Sequence, residues 1–316
     1  VILIEVMLPV AIIVLAGFIA GRRVLDAAGI KALADLAFFL FLPCLLFRSM
    51  ATATFEATDA QFLAVYFGTS LVWFIAVTWF SRRVWREATG GAIVLGLAAV
   101  YSNTVQLGIP VQKLAFGEAG LRLQLAIISL QSLVLLTAAT VWIESARAHA
   151  VKAAGGKSGG FARTLFDVVR SAVIHPVILP IGLGLLWNAT DLPLPKWSEQ
   201  PLGFLASAAG PLLLVLMGAQ LSRMELKSQI RAAFVFSVLK NFVHPLLVWA
   251  VAWAVGLPPL PTGVAVVCAA LPMGANVFLF SQRYRVNEDA ITASIALSTL
   301  VGMISVTMAL ALLPRV

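Results

Sequence analysis

The stretch Tyr101-Ser102-Asn103-Thr104-Val105-Gln106-Leu107-Gly108-Ile109-Pro110 lies inside a long apolar run, yet it makes a poor continuous helix. Ser102, Asn103, Thr104 and Gln106 are polar. Gly108 lowers the cost of leaving the helical conformation, and Pro110 removes a backbone donor and clashes with the preceding turn. A break of this kind in the middle of a lipid-spanning segment is tolerated only where protein or a watery cavity covers the opened backbone.

Lipid is the required solvent. Of 316 residues, 61% are hydrophobic and 11% charged, with a mean hydropathy of +0.98. Soluble domains average about 45–50% apolar and about 25% charged. Continuous apolar runs, each near the roughly 20 residues that span a bilayer, exclude a β-barrel, whose strands alternate. The expected fold is all-α integral membrane, with ten transmembrane helices at about 2–20, 33–50, 61–80, 91–113, 121–143, 171–188, 199–221, 231–255, 261–281 and 288–313. The first run lacks a basic leader and a small-residue cleavage site, and is expected to be a helix.

The net charge of +8 lies in short segments between the apolar runs, which argues against nucleic acid. Sixteen Lys and Arg residues fall on one side of the expected topology and five on the other, with Lys240 inside helix 8. The positive-inside rule then puts both termini outside and residues 144–170, with their Gly-Gly-Lys-Ser-Gly-Gly run at 155–160, in the cytoplasm as a linker. That run ends like a phosphate-binding loop, but lacks its first glycine and a preceding strand. Cys44 and Cys268 sit in apolar stretches without metal-ligand spacing. No metal, cofactor or enzymatic signature is expected.

Five helices on each side of the linker (1–143 and 171–316) require the second half to enter the membrane inverted. Weak internal similarity agrees. Pro43 in helix 2 and Pro211 in helix 7 lie 168 residues apart, and Glu118 and Glu288, after helix 4 and after helix 9, lie 170 apart. Helix 9 carries its own break, Leu271-Pro272-Met273-Gly274-Ala275-Asn276-Val277-Phe278. Paired breaks in corresponding helices of inverted halves point to a transporter's central site. Half-helix N-termini offer free N–H groups and the positive end of the dipole, both suited to an anion. Asn103, Thr104, Gln106 and Asn276 add donors at that depth, with Gly108 and Gly274 lowering the cost of leaving the helical conformation and Pro110 and Pro272 breaking the helices.

The run 102–110 resembles the Asn-Thr-x-x-x-Gly-Ile-Pro element of the auxin efflux carrier family, in both bacterial members and plant PIN exporters. Residues 271–286, 175–187 and 240–248 look like the helix 9, 6 and 8 patterns of the compact bacterial members. The resemblance implies crossed, broken helices 4 and 9, scaffold helices 1, 2, 6 and 7 with a homodimer interface, and transport helices 3–5 and 8–10. It also implies a bacterial inner-membrane location and a small organic anion substrate, either auxin-like or a dicarboxylate such as malonate or malate. Asn103 and Asn276 would face the substrate. Helix 3 here has no charged side chain, unlike the plant branch, which leaves proton coupling, sodium coupling and uncoupled uniport all open.

Lys240 is a candidate to reach toward the crossover, against the alternative of snorkelling to the cytoplasmic surface. His244, one turn on, is a candidate proton-coupling group or a packed histidine. Gln131, near the middle of helix 5, is a further candidate for the pocket; Gln124, Ser129, Ser132, Ser298 and Thr299 are weaker ones. The expected function is secondary transport of small organic anions by elevator-like or rocking alternating access. The rivals are a bile-acid-type sodium symporter, an anion channel, or a sensor of the same fold.

Overall fold

The computed structural model describes residues 2–53, 58–153, 178–223 and 229–312. Every regular element among them is helical, and the one extended pairing is an isolated antiparallel bridge between Ser102 and Met273. Among the described residues, six helical stretches are long and apolar enough to cross a membrane. Residues 154–177 lie outside the described set, and with them most of the expected linker and the first part of the expected helix 6, residues 171–177.

The chain begins with α1 (Ile2–Arg23). Leu8, Ile12, Leu15 and Ile19 are exposed at steps of four, three and four, an apolar stripe on one helix face. A different face of α1 packs on α9 (Lys196–Leu221), where the backbones nearly touch. A Cβ on Gly17 would stand 2.8 Å from Val215 C and Cα, and one on Gly218 would stand 2.7 Å from Phe18 N. Small residues allow such close packing where lipid supplies no hydrophobic drive.

Next come α2 (Ala27–Leu36) and α3 (Leu42–Ala51), joined into one rod by a π-helical turn at Ala37–Phe41. This rod starts about six residues before the expected helix 2, because Asp26 caps it, accepting from Gly29 N–H at 2.7 Å. α3 packs on α8 (Ile178–Asn188) and on α9.

The remaining helices form a second set of contacts. α4 (Thr58–Val84) lies against α5 (Thr89–Ala98), which in turn meets α7 (Thr137–Ala153). α7 carries the chain helically through 144–153, a segment expected from the sequence to begin the linker. Between α5 and α7 runs α6 (Ile109–Gln131), entered through a π-helical turn at Thr104–Gly108 and left through another at Ser132–Leu136. α6 is not straight. Gln131 Nε2 lies 2.9 Å from Ser102 O, 29 residues earlier, where a straight helix would separate them by about 43 Å. The chain doubles back at Gly117, whose φ of 66° and ψ of −153° suit glycine alone. This reversal lies between the helices expected at 91–113 and 121–143.

The second half continues with α10 (Ile230–Val238) and α11 (His244–Ala254), joined by a π-helical turn at Leu239–Val243. Then come α12 (Pro259–Ala270), α13 (Asn276–Tyr284) and α14 (Glu288–Leu312). α11 packs on α4 and α12, α12 on α6 and α14, and α10 on α14. Among the described residues, three of the four wide turns precede a proline: the carbonyls of Phe39, Gln106 and Asn241, four residues before Pro43, Pro110 and Pro245, all lie within them. A proline ring clashes with that carbonyl in a regular helix, and widening the turn relieves the clash.

Two helices stand apart from the rest. α5 is buried from Gly91 to Ala98 and α12 from Pro261 to Ala270. At 10 and 12 residues they reach about 15 and 18 Å, half of the roughly 30 Å hydrocarbon core. Each therefore ends its run inside protein, at the depth where the sequence breaks.

Candidate functional site

After Ala98 the chain leaves the helix for residues 99–103, and after Ala270 it leaves for 271–275. The two breaks are bonded to each other through their backbones. Asn103 N–H donates to Pro272 O at 2.7 Å, and Gly274 N–H donates to Tyr101 O at 2.9 Å. Gly274 is needed for this approach, since a Cβ there would lie 2.9 Å from both Ser102 O and Tyr101 Cδ1. Ser102 Oγ adds a third link, donating to Cys268 O at 2.8 Å.

The first break is held by neutral amides. Gln131 Nε2 donates to Ser102 O at 2.9 Å and Gln124 Nε2 to Thr104 O at 2.8 Å. Both glutamines arrive on the strand of helix that returns after Gly117, so the reversal there is what makes this support available. Asn103 caps the helix that follows: its Oδ1 accepts from Gln106 N–H and its Nδ2 donates to Gln106 Oε1, each at 3.2 Å. Gln106 Nε2 in turn donates to Gln220 Oε1 on α9 at 3.0 Å.

The second break is held by a charge and a serine–asparagine network. Lys240 Nζ donates to Ala269 O at 2.6 Å and to Leu271 O at 2.8 Å. Ala270 O, between them, accepts from Asn241 Nδ2 at 3.0 Å and Ser305 Oγ at 2.8 Å. Ser298 Oγ accepts from Met273 N–H at 2.9 Å and donates to Asn241 Oδ1 at 2.7 Å. Unlike its counterpart after the first break, α13 starts with no side-chain cap.

Where the breaks meet, a cavity of about 210 Å³ opens. Residues 101–106 form one wall and Gly274, Ala275 and Asn276 another, with Ile128, Gln131 and Ser132 behind and Phe38 and Gln220 across from them. Asn276 Nδ2 donates to Tyr101 Oη at 2.8 Å, and Tyr101 Oη lies 2.6 Å from Ser132 Oγ. No lining residue is charged. The cavity offers amide and hydroxyl donors and the uncapped start of α13, a set suited to a small polar anion.

Six of the residues singled out in the sequence come together here: Asn103, Thr104, Gln106, Gln131, Gly274 and Asn276. Gly108 does not line the cavity; it is buried beneath Gln124 and Leu271. Pro110 is buried in the first turn of α6, and Pro272 contributes its carbonyl to Asn103. Lys240 is fully buried, turned onto the carbonyls of the second break instead of into the cavity or toward the surface. His244 is also fully buried outside the cavity, with Nε2 3.0 Å from Ser70 Oγ. That hydroxyl donates to Tyr66 O at 2.7 Å, so it accepts from the imidazole. Of the weaker candidates, Ser132 reaches the cavity, whereas Gln124 and Ser298 support the two breaks and Ser129 and Thr299 bond their own helices.

Sequence reasoning missed Phe38, Gln220 and the hydroxyl of Tyr101 as lining groups. Gln220, next to the last residue of α9, reads as an end-of-helix polar residue. Only the packing of α9 against the turn at Thr104–Gly108 brings it to Gln106. Tyr101, an amphipathic residue inside the break, carried the one usable signal.

Comparison with known proteins covers nearly the whole chain. Residues 2–310 match the model of a family described as membrane transport protein. The chain is 29% identical over 274 residues to a Rhizobium meliloti protein named "Putative malonate transporter", covering 85% of this chain and 82% of that one. It is 24% identical over 306 residues to an "Uncharacterized transporter" of Methanothermobacter thermautotrophicus, covering 95% of each. It is 21% identical over 265 residues to auxin efflux carrier component 8 of Arabidopsis thaliana, covering 70% of this chain and 72% of that one.

Proposed function

Because this chain belongs to the membrane transport protein family, that of the auxin efflux carriers, we propose that it carries a small organic anion through the cavity between its two helix breaks. The observation that carries this reading is the pairing of the breaks themselves. Opened backbone from two distant parts of the chain meets at one small, uncharged, donor-rich cavity, and one of the helices starting there has no cap. A carboxylate would take donors from Asn276, Asn103 and Gln131, and the N-terminal backbone of α13. Its charge would be balanced by the helix dipole and by polarised amides, since no lining residue is basic.

The size of the cavity favours a short acid. About 210 Å³ is less than the roughly 300–1,000 Å³ of sites for drug-sized ligands. The relative named for malonate makes that dicarboxylate the first to test, with malate next.

The wider architecture belongs to the same proposal. Two inverted five-helix repeats would cross α5–α6 over α12–α13. α1, α2–α3, α8 and α9 would form the scaffold and dimer contact, and the remaining helices the moving domain. The heaviest contacts support this division, α1 and α3 packing on α8 and α9 while α10 packs on α14 and α4 on α5, with lighter contacts from α1, α3 and α9 to α6 and from α1 to α14 crossing between the sets. The Gln106–Gln220 bond joins the two sets beside the cavity. A sliding or rocking step that exposes the cavity on the other side would break it.

The test is a thermal-shift screen of the purified chain against mono- and dicarboxylates. One acid should raise the unfolding midpoint, and Asn276→Ala and Asn103→Ala should each remove the rise. If folded protein responds to no organic acid, or if both variants respond as the parent does, the anion site lies elsewhere.

A further inference from the structure

Unwound helix ends at the centre of a transporter are where backbone carbonyls gather around a coupling cation, because the C-terminal end of a half-helix carries the negative end of its dipole. In this chain the corresponding place is the end of α12. Its last residues are fully buried, and Ala269 O and Leu271 O both accept from a single group, the ammonium of Lys240. The side chain is completely buried, and no carboxylate pairs with it in any ion pair among the described residues. Its partners are carbonyl dipoles, the ligand type that an alkali cation would take.

The neighbouring geometry favours a fixed cation over a passing one. Lys240 lies in the π-helical turn Leu239–Val243, and the next residue, Asn241, ties the same helix end through Ala270 O. Ser305 closes on that carbonyl from α14. The helix end is thus held from two elements at once, with the positive charge covalently supplied by one of them. The first break has no such charge: neutral amides from Gln131 and Gln124 take its carbonyls.

We propose that the Lys240 ammonium is the resident cation of the second helix break, standing where an alkali cation would bind the end of α12, so that this break holds together without sodium. The inference rests on the break and not on the identity of the substrate, and its test needs no substrate.

The experiment measures thermal unfolding of the purified full chain in sodium chloride and in choline chloride at equal ionic strength and pH. The parent protein and Lys240→Arg should unfold within about 1 °C of themselves in the two salts. Lys240→Ala, which removes the charge and leaves room for an ion and water, should unfold earlier in choline. Sodium, lithium or potassium should then raise its midpoint by about 3 °C or more. A parent protein stabilised by sodium over choline would overturn the proposal, and this arm decides the matter even if Lys240→Ala cannot be purified. A destabilised Lys240→Ala that no alkali cation moves would overturn it as well, since the lysine would then be a structural donor and nothing more.

Discussion

The first break, at 99–103, and the second, at 271–275, are bonded to each other, yet they are built on different principles. Around the first, neutral amides hold the carbonyls, Asn103 caps the next helix, and polar side chains line the cavity. Around the second, a buried cation holds the carbonyls, and the next helix starts uncapped beside the cavity. A neutral amide that supports backbone can be lent to a ligand, because exchanging one hydrogen bond for another costs little. A buried charge on carbonyls cannot be withdrawn without stranding both partners. The first break is therefore suited to recognition and the second to holding the site open and in place.

That contrast can be broken by substitution. The largest effect should come from Lys240→Met, which keeps much of the volume but leaves Ala269 O and Leu271 O without their donor. Bonds to charged groups contribute about 1.5–3 kcal/mol each, so a loss of about 3 kcal/mol or more is expected, read as an early unfolding midpoint. A variant as stable as the parent would erase the distinction between the breaks.

Asn103→Ala should come next. It removes the cap on Gln106 N–H, worth about 1 kcal/mol, and should weaken anion binding by about tenfold or more. The ratio of these effects sharpens the comparison, because Lys240→Met should do the reverse, with a large stability loss and no direct loss of a lining group. Equilibrium anion titration beside thermal unfolding separates them.

Gln131→Leu should cost about 1–2 kcal/mol by leaving buried Ser102 O without its side-chain donor, and it should also weaken the anion. Gln220→Ala should be mildest. It breaks only the half-buried bond to Gln106, so stability should stay within about 0.5 kcal/mol. Transport measured in vesicles should change more than binding does, if that bond resists the movement between states.

Much of this was legible in the sequence, and for identifiable reasons. The Asn103–Pro110 run and its counterpart at 271–276 announced themselves because polar, Gly and Pro residues are costly in lipid and stand out against apolar flanks. Asn103, Thr104, Gln106, Gly274 and Asn276 were found that way, and all line the cavity. Lys240 stood out equally, yet where it points was not legible. The same cost that flags a buried lysine is relieved by an anion, by the membrane surface or by carbonyls 29 and 31 residues away. Gln220 carried no flag at all, since polar residues near a helix end are unremarkable.

By itself, the sequence determined that this chain lives in lipid as a bundle of helices, and at which residues two of those helices fail. Those are properties of local composition: transfer free energy per residue, the missing donor of proline and the freedom of glycine act without reference to distant parts of the chain. Only the tertiary structure decided that the two failures face each other, that Gly117 turns Gln124 and Gln131 back onto the first, and that Lys240 secures the second. Each of these is a pairing of opened backbone with a donor many residues away, and which donor arrives is set by how whole helices pack.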